Sequence, residues 1–240
     1  MIKLGIIGAM TIEIEALKAQ MANIATYEYT SMTFYEGILE EQPVVLVVCG
    51  VGKVNAAICV QVLCDRFNVT HIVNTGVAGS LCAQLDIGDL VISTQAMYHD
   101  FDCHNLNPNY PVGQVPGLSV HAFSADSSLA ELALEAAEKV HSGHVRLGIV
   151  ASGDQFVCDR TQKEKIVIDT GALCTEMEGA AIAHAAWRNG VPFVIIRAIS
   201  DKADDTAQMD YPTFEAIAAK CCSSVTQLLA RNITKMKSSR

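Results

Sequence analysis

Short apolar runs rich in β-branched residues recur along the chain, each ended by glycine or a turn residue. They predict strands over residues 3–8, 43–49, 71–75, 90–94, 145–150 and 193–199. The runs are nearly continuous in apolar residues, as strands buried on both faces require. Between them lie amphipathic stretches, and the 3.6-residue period predicts helices over 12–21, 53–67, 127–140, 179–188 and 211–229. Strands alternating with helices imply an α/β fold with a mostly parallel or mixed sheet and helices on both sides.

One long stretch fits neither period. Residues 100–117 contain Pro108, Pro111 and Pro116 and are expected to form a functional or interface loop. No repeat, low-complexity tract or linker divides the pattern, so one domain over residues 1–240 is expected, with residues 235–240 as a loose end. A chain of 240 residues buries about 70% of the surface its unfolded form exposes, enough for a substantial core. Half of the residues are hydrophobic. No uninterrupted apolar run approaches the ~20 residues of a membrane span, so the excess belongs in strands, helices or a subunit interface. Glu13 and Glu15 interrupt the apolar N-terminal segment, which argues against a signal peptide.

Charge narrows the partners. A net charge of −9 without a basic block argues against nucleic acid or an anionic membrane surface. The nine cysteines are scattered and odd in number, which fits a reducing cytoplasm better than a disulfide framework. Neither the cysteines nor the seven histidines show zinc spacing, so no metal and no cofactor is expected.

Gly5-Ile6-Ile7-Gly8 and Gly50-Val51-Gly52 invite a dinucleotide-binding reading, but neither completes Gly-x-Gly-x-x-Gly, and tight turns explain them as well. The positions of the acids say more. Ligands of open α/β sheets bind beyond the carboxyl ends of strands, and three carboxylates fall there. Glu13 follows the first strand, Glu178 stands between residues 172–177 and the next helix, and Asp201 ends the apolar run FVIIRAIS. Burial of Asp201 would raise its pKa. Taken singly, each acid also has a plain alternative: Asp201 as a helix cap, Glu178 in a first helical turn, Glu13 as a solvated helix residue.

At these residues the chain resembles the 5′-methylthioadenosine/S-adenosylhomocysteine nucleosidases of the nucleoside phosphorylase superfamily. The resemblance is carried in order by GIIGAMxxEIEAL, CGVGKVNAA, NTGVAGSL, YHDFD, SGDQFV, TEMEGAAIAH and RAISDKAD, and so covers nearly the whole chain. It implies a three-layer α/β sandwich, a central mixed sheet flanked by helices, in a cytoplasmic homodimer that binds a small nucleoside. It also implies catalytic roles for Glu13 as activator of the attacking water, Glu178 as partner of the ribose hydroxyls and Asp201 as the acid on adenine N7. Met177 would underlie the ribose, Arg197 would position Glu13 and its water, and Ser200 would orient Asp201. Phe156 would stack on adenine, with its backbone and that of Val157 reading the base edge. Val51 and Tyr211 would flank the thio-ribose, Val77 and Gly79 would line the substrate pocket, and part of residues 105–112 would close the 5′ pocket of the partner. The chain departs from the family pattern at Val77, where a serine is common, and at Val112, where an aromatic residue is common.

The chemistry accounts for these residue types. Breaking an N-glycosidic bond builds positive charge on the sugar and negative charge on the base, so both ends need stabilisation. An ordinary Asp, with pKa near ~3.9, is almost wholly ionised at neutral pH, so an acid on N7 must sit where burial raises that value. Glu178 would set negative charge beside an oxocarbenium-like sugar, while Glu13 must be ionised to accept a proton from water. A carboxylate there would also repel phosphate, which favours hydrolysis over phosphorolysis. A nucleosidase for another purine nucleoside of the futalosine type, a phosphorylase and a non-catalytic nucleoside-binding relative are the remaining alternatives.

Overall fold

A computed structural model describes residues 2–238, with side chains through Ile233. The strands are β1 (Leu4–Gly8), β2 (Ala22–Tyr29), β3 (Met32–Leu39), β4 (Gln42–Val48) and β5 (His71–Ser80). They continue with β6 (Leu90–Tyr98), β7 (Phe123–Ser124), β8 (Val145–Ser152), β9 (Cys174–Glu176) and β10 (Phe193–Asp201). The helices are α1 (Thr11–Gln20), α2 (Lys53–Phe67), α3 (Ser127–Val140), α4 (Arg160–Thr170), α5 (Gly179–Asn189) and α6 (Ala207–Ser238). All these strands join one mixed sheet in the order β10-β6-β8-β9-β5-β1-β4-β3-β2, with β7 attached to β6. Helices α2 and α5 cover one apolar face of the sheet, and α1, α3 and α6 cover the other. The result is the expected α/β/α sandwich with a mixed sheet at its centre.

The sheet also closes on itself. β10 pairs parallel with β5 and antiparallel with β6, so β10, β6, β8, β9 and β5 form a ring, from which β1, β4, β3 and β2 extend as a wing. β5 makes this possible by changing partners along one edge. Its residues from His71 to Asn74 pair with β1, whereas Gly79 and Ser80 pair with β9. Between the two pairings the sheet parts, and a crevice opens at the carboxyl ends of β1, β5 and β10.

The wing holds two strands that the apolar pattern did not predict. β2 is exposed along nearly its whole length, so no alternation marks it. Both hairpin turns, Thr30-Ser31 and Glu40-Glu41, have positive φ at both residues. That geometry suits the right-handed twist of a hairpin, but it usually signals itself through Asn-Gly or Asp-Gly. Helix α4 was also undelineated because charged residues surround its few apolar positions. Its ends are conventional: Asp159 accepts the Gln162 N–H at 2.7 Å, and Gly171 takes the left-handed conformation after the last turn. Helix α6 begins before Tyr211 and continues through Ser238, while Ser239 and Arg240 lie outside the described residues. Residues 100–122 contain no helix or strand.

Candidate active site

The crevice is a cleft beside the point where β5 exchanges β1 for β9. Glu13 enters it from the first turn of α1 and is almost fully buried. Its Oε2 accepts the N–H groups of Ala9 and Met10 at 2.7 and 3.0 Å, and its Oε1 accepts that of Val77 at 3.1 Å. A solvated helix residue is therefore excluded at this position. Burial raises the Glu13 pKa above its ordinary value, against the lowering effects of Arg197 and the three N–H donors. Gly76 makes this approach possible, because a Cβ there would overlap both Glu13 Oε1 and Arg197 Nη1.

Arg197 projects from β10 beneath the cleft and is 1% exposed. Its hydrogen bonds go to Glu176, Asn74 Oδ1 and the Val77 carbonyl, while Glu178 Oε2 lies 3.8 Å from Nη2. Towards Glu13 it acts through its field across Gly76, and backbone N–H groups hold that carboxylate in place. Burial alone would lower the Arg197 pKa, but Glu176, Glu178 and Glu13 together raise it, so the guanidinium stays charged. Glu178 immediately precedes α5, and its side chain accepts the Gly52 N–H at 2.9 Å instead of capping the helix. Its pKa is pushed up to about 7, first by burial and then by the neighbouring Glu176 carboxylate.

At the other end of the cleft, Asp201 terminates β10 and is 2% exposed. Ser200 donates its hydroxyl to Oδ2 at 2.9 Å and the Ala203 N–H donates to Oδ1 at 2.8 Å, so Asp201 closes a turn before α6 and does not cap the helix itself. Burial raises its pKa, the direction expected from the apolar strand that carries it. Phe156 and Val157, between β8 and α4, form the wall beside this end. Among the described residues, nothing hydrogen-bonds to the backbone of either. The Phe156 ring stands at the mouth, 5.6 Å from that of Tyr211 in an edge-on arrangement. Val51, Val77, Gly79 and Met177 line the same cleft, so the residues expected around the substrate meet in one place, while residues 105–112, expected to act on a partner, do not line it.

Two parts of the site were missed. Glu176 is the closest carboxylate to Arg197, and it also accepts the Ser152 hydroxyl and the N–H groups of Glu178 and Gly179. The second part is a lacing of the cleft's rim. Lys53 Nζ donates to both Asp100 oxygens at 2.6 Å, Asp100 accepts the Asp154 N–H at 2.9 Å, and Asp154 accepts the Lys53 N–H at 2.9 Å. These bonds tie the start of α2, next to Val51, to the segment carrying Phe156. Their signal lay in the YHDFD and SGDQF motifs, but ion pairing between distant segments needs the topology to be known.

The arrangement has the Asp201 carboxyl at one end and the carboxyls of Glu13 and Glu178 near a buried guanidinium at the other. It can hold a polar ligand whose two halves develop opposite charges. Among the described residues, no cluster of His, Cys, Asp or Glu could hold a metal ion, and no helix is long and apolar enough to cross a membrane.

Comparison with known proteins gives a consistent set of likenesses. A family model described as the phosphorylase superfamily matches residues 3–234. The 5′-methylthioadenosine/S-adenosylhomocysteine nucleosidase of Staphylococcus carnosus is 38% identical over 231 residues, covering 96% of this chain and 100% of its own. The crystal structure of the Neisseria meningitidis enzyme of the same name, in complex with methylthio-immucillin-A, superposes with a TM-score of 0.92 at 35% identity, covering 97% of this chain and 100% of the other. The futalosine hydrolase of Helicobacter pylori is also similar, with a TM-score of 0.90 at 31% identity over 96% of this chain and 98% of its own.

Proposed function

The chain belongs to the phosphorylase superfamily, and from that membership we propose that it is an N-ribosyl hydrolase releasing adenine from 5′-methylthioadenosine and S-adenosylhomocysteine. Full-length similarity to nucleosidases of that name supports the reading. The observation that carries it is the setting of Glu13. Backbone N–H groups at the end of β1 and on β5 are the donors a phosphorylase needs for its phosphate, and here a carboxylate of the chain already takes three of them. Water, and not a dianion, is the co-substrate such a site accepts.

In this mechanism Asp201 carries the proton that burial lets it keep and gives it to N7 as the glycosidic bond breaks. The bonding electrons leave with the purine, and the new N7–H makes it neutral adenine. Glu178, once ionised, accepts hydrogen bonds from the ribose hydroxyls and places negative charge beside the oxocarbenium-like sugar. Glu13 takes a proton from the water that attacks C1′, with Arg197 keeping the surrounding carboxylates in position. Met177 lies under the ribose, and the Phe156 ring stacks on the base, whose polar edge meets the free backbone groups of Phe156 and Val157. Val51 and Tyr211 flank the thio-ribose, and Ser200 holds Asp201 in orientation.

The enzyme works as a homodimer in the cytoplasm, with residues 105–112 closing the 5′ pocket of the partner. Leu106 at 75% exposure on that loop and Val54 at 70% on α2 support an apolar contact there. Sedimentation as a concentration-independent monomer would refute the dimer. The activity is tested by adenine release from methylthioadenosine, S-adenosylhomocysteine, inosine and a deoxyfutalosine, each with and without phosphate. Phosphate-independent release from the two thio-nucleosides is expected, reduced about 10²- to 10⁴-fold in Asp201→Asn. Release only with phosphate, or a preference for the deoxyfutalosine, would overturn the assignment.

A further inference from the structure

Among the described residues lining the cleft, two side chains keep a buried polar atom without a partner, Arg197 at Nε and Thr175 at its hydroxyl. Thr175, in the middle of β9, is 5% exposed, and its Oγ1 is buried without a hydrogen bond. Valine fills the same space in a buried strand without a polar atom. A buried hydroxyl there destabilises the chain unless something completes its bonding.

The register shows what lies opposite it. Asp201 of β10 pairs with Gly79 of β5, and Gly79 pairs with Thr175 of β9. Residues in one row across a sheet project to the same face, and strands lie about 4.8 Å apart. Asp201 and Thr175 therefore stand roughly 10 Å apart at the backbone, on either side of a residue with no side chain. A Cβ on Gly79 would meet both Asp201 Oδ1 and the Ala203 Cβ at 2.8 Å, so only glycine lets the carboxylate and the turn after β10 lie so close to this strand. Gly79, Thr175 and Asp201 line the end of the cleft away from Gly76, where Glu13 and Arg197 meet.

We propose that the Thr175 hydroxyl is a base-contacting group, hydrogen-bonded to the departing purine from the wall opposite Asp201. The inference rests on the nucleosidase reading for the identity of the base. A hydroxyl rotor can donate to a ring nitrogen or accept from an amino group. As a donor its bond strengthens while electron density moves onto the base, which aids departure as well as binding.

The test measures adenine binding by calorimetry, and thermal melting without ligand, for the wild type, Thr175→Val and Thr175→Ser. The valine variant is expected to bind adenine about 5- to 10-fold more weakly, with its ligand-free Tm unchanged or raised, because an unsatisfied hydroxyl has been removed. Serine keeps the hydroxyl and is expected to hold affinity within about threefold of wild type. Adenine affinity within twofold of wild type in Thr175→Val overturns the proposal. So does a loss accompanied by a lower ligand-free Tm and not restored by serine, which would mark a structural role. A wild type that binds adenine yet releases none from the thio-nucleosides would refute the nucleosidase reading and leave the Thr175 contact standing.

Discussion

Glu176→Gln changes the charge beneath the cleft while keeping the side chain's size. In the wild type three carboxylates, Glu13, Glu176 and Glu178, surround the single buried guanidinium of Arg197, and crowding by Glu176 helps push the Glu178 pKa up to about 7. Both acids approach Arg197 Nη2, Glu178 at 3.8 Å and Glu176 closer, so their oxygens lie less than twice that distance apart. At ~7 Å and an effective dielectric of ~20, Coulomb's law gives about 2 kcal/mol of repulsion, equivalent to about 1.5 pH units. Removing the Glu176 charge also leaves Arg197 to pair more fully with Glu178, which moves the shift in the same direction.

The sign follows from the direction of the native shift. Glu178 binds its proton more tightly when folded than when unfolded, so its contribution to stability is greatest in acid and is lost as pH rises from about 4.5 towards about 7. In the proposed mechanism its contribution needs the ionised form, so kcat/KM is expected to climb through the same window. In Glu176→Gln the midpoint of that acid limb is expected to fall from about 7 to about 5.5. The assay is the pH profile of kcat/KM for adenine release from methylthioadenosine, with circular dichroism at each pH to show that the variant stays folded. Breaking a buried pair costs about 3 kcal/mol or more, and Glu178 and Glu13 limit the loss by continuing to balance Arg197. A limb that stays within ~0.3 units of the wild type, or moves to higher pH, would refute the electrostatic reasoning.

Two further substitutions probe how the site is assembled. Gly76→Ala is expected to cost at least about 2 kcal/mol, because its methyl overlaps Glu13 and Arg197; a Tm drop of less than about 4 °C by calorimetry would contradict the packing. Lys53→Met removes the ion pair with Asp100 at the rim and is expected to raise KM about tenfold with a smaller effect on kcat, as read from steady-state kinetics; an unchanged KM would show that the rim holds its shape without the pair.

The part of the fold legible from the sequence is the part whose strands are buried on both faces. β1, β4, β5, β6 and β10 were each visible as apolar runs, because strands covered on both sides leave no room for polar alternation, and β8 was visible although only its last three residues are buried. Their far ends were not visible. β5 continues from Thr75 through Gly76, Val77, Ala78 and Gly79 to Ser80, a stretch whose glycines suggest a turn when read alone. It remains a strand because β10 pairs with it throughout, and the glycines serve the cleft instead of a turn. β2 escaped for the opposite reason: it is an edge strand with both faces exposed, held by its pairing with β3 and marked by no pattern of its own.

The same distinction explains the acids. Glu13, Glu178 and Asp201 were found because each follows a strand end, a position that chain order reveals. Glu176 also ends a strand, but β9 has three residues, too few to show as an apolar run, and it is held between β5 and β8. An arginine within FVIIRAIS nevertheless required a buried counter-charge from somewhere, since an unpaired guanidinium in an apolar strand is too costly to keep. The sequence therefore implied that a partner carboxylate exists, and only the topology could say that it is Glu176, two residues before Glu178. In the proposed mechanism the surplus of carboxylates over guanidinium, once ionised, repels phosphate while it steadies a sugar turning cationic.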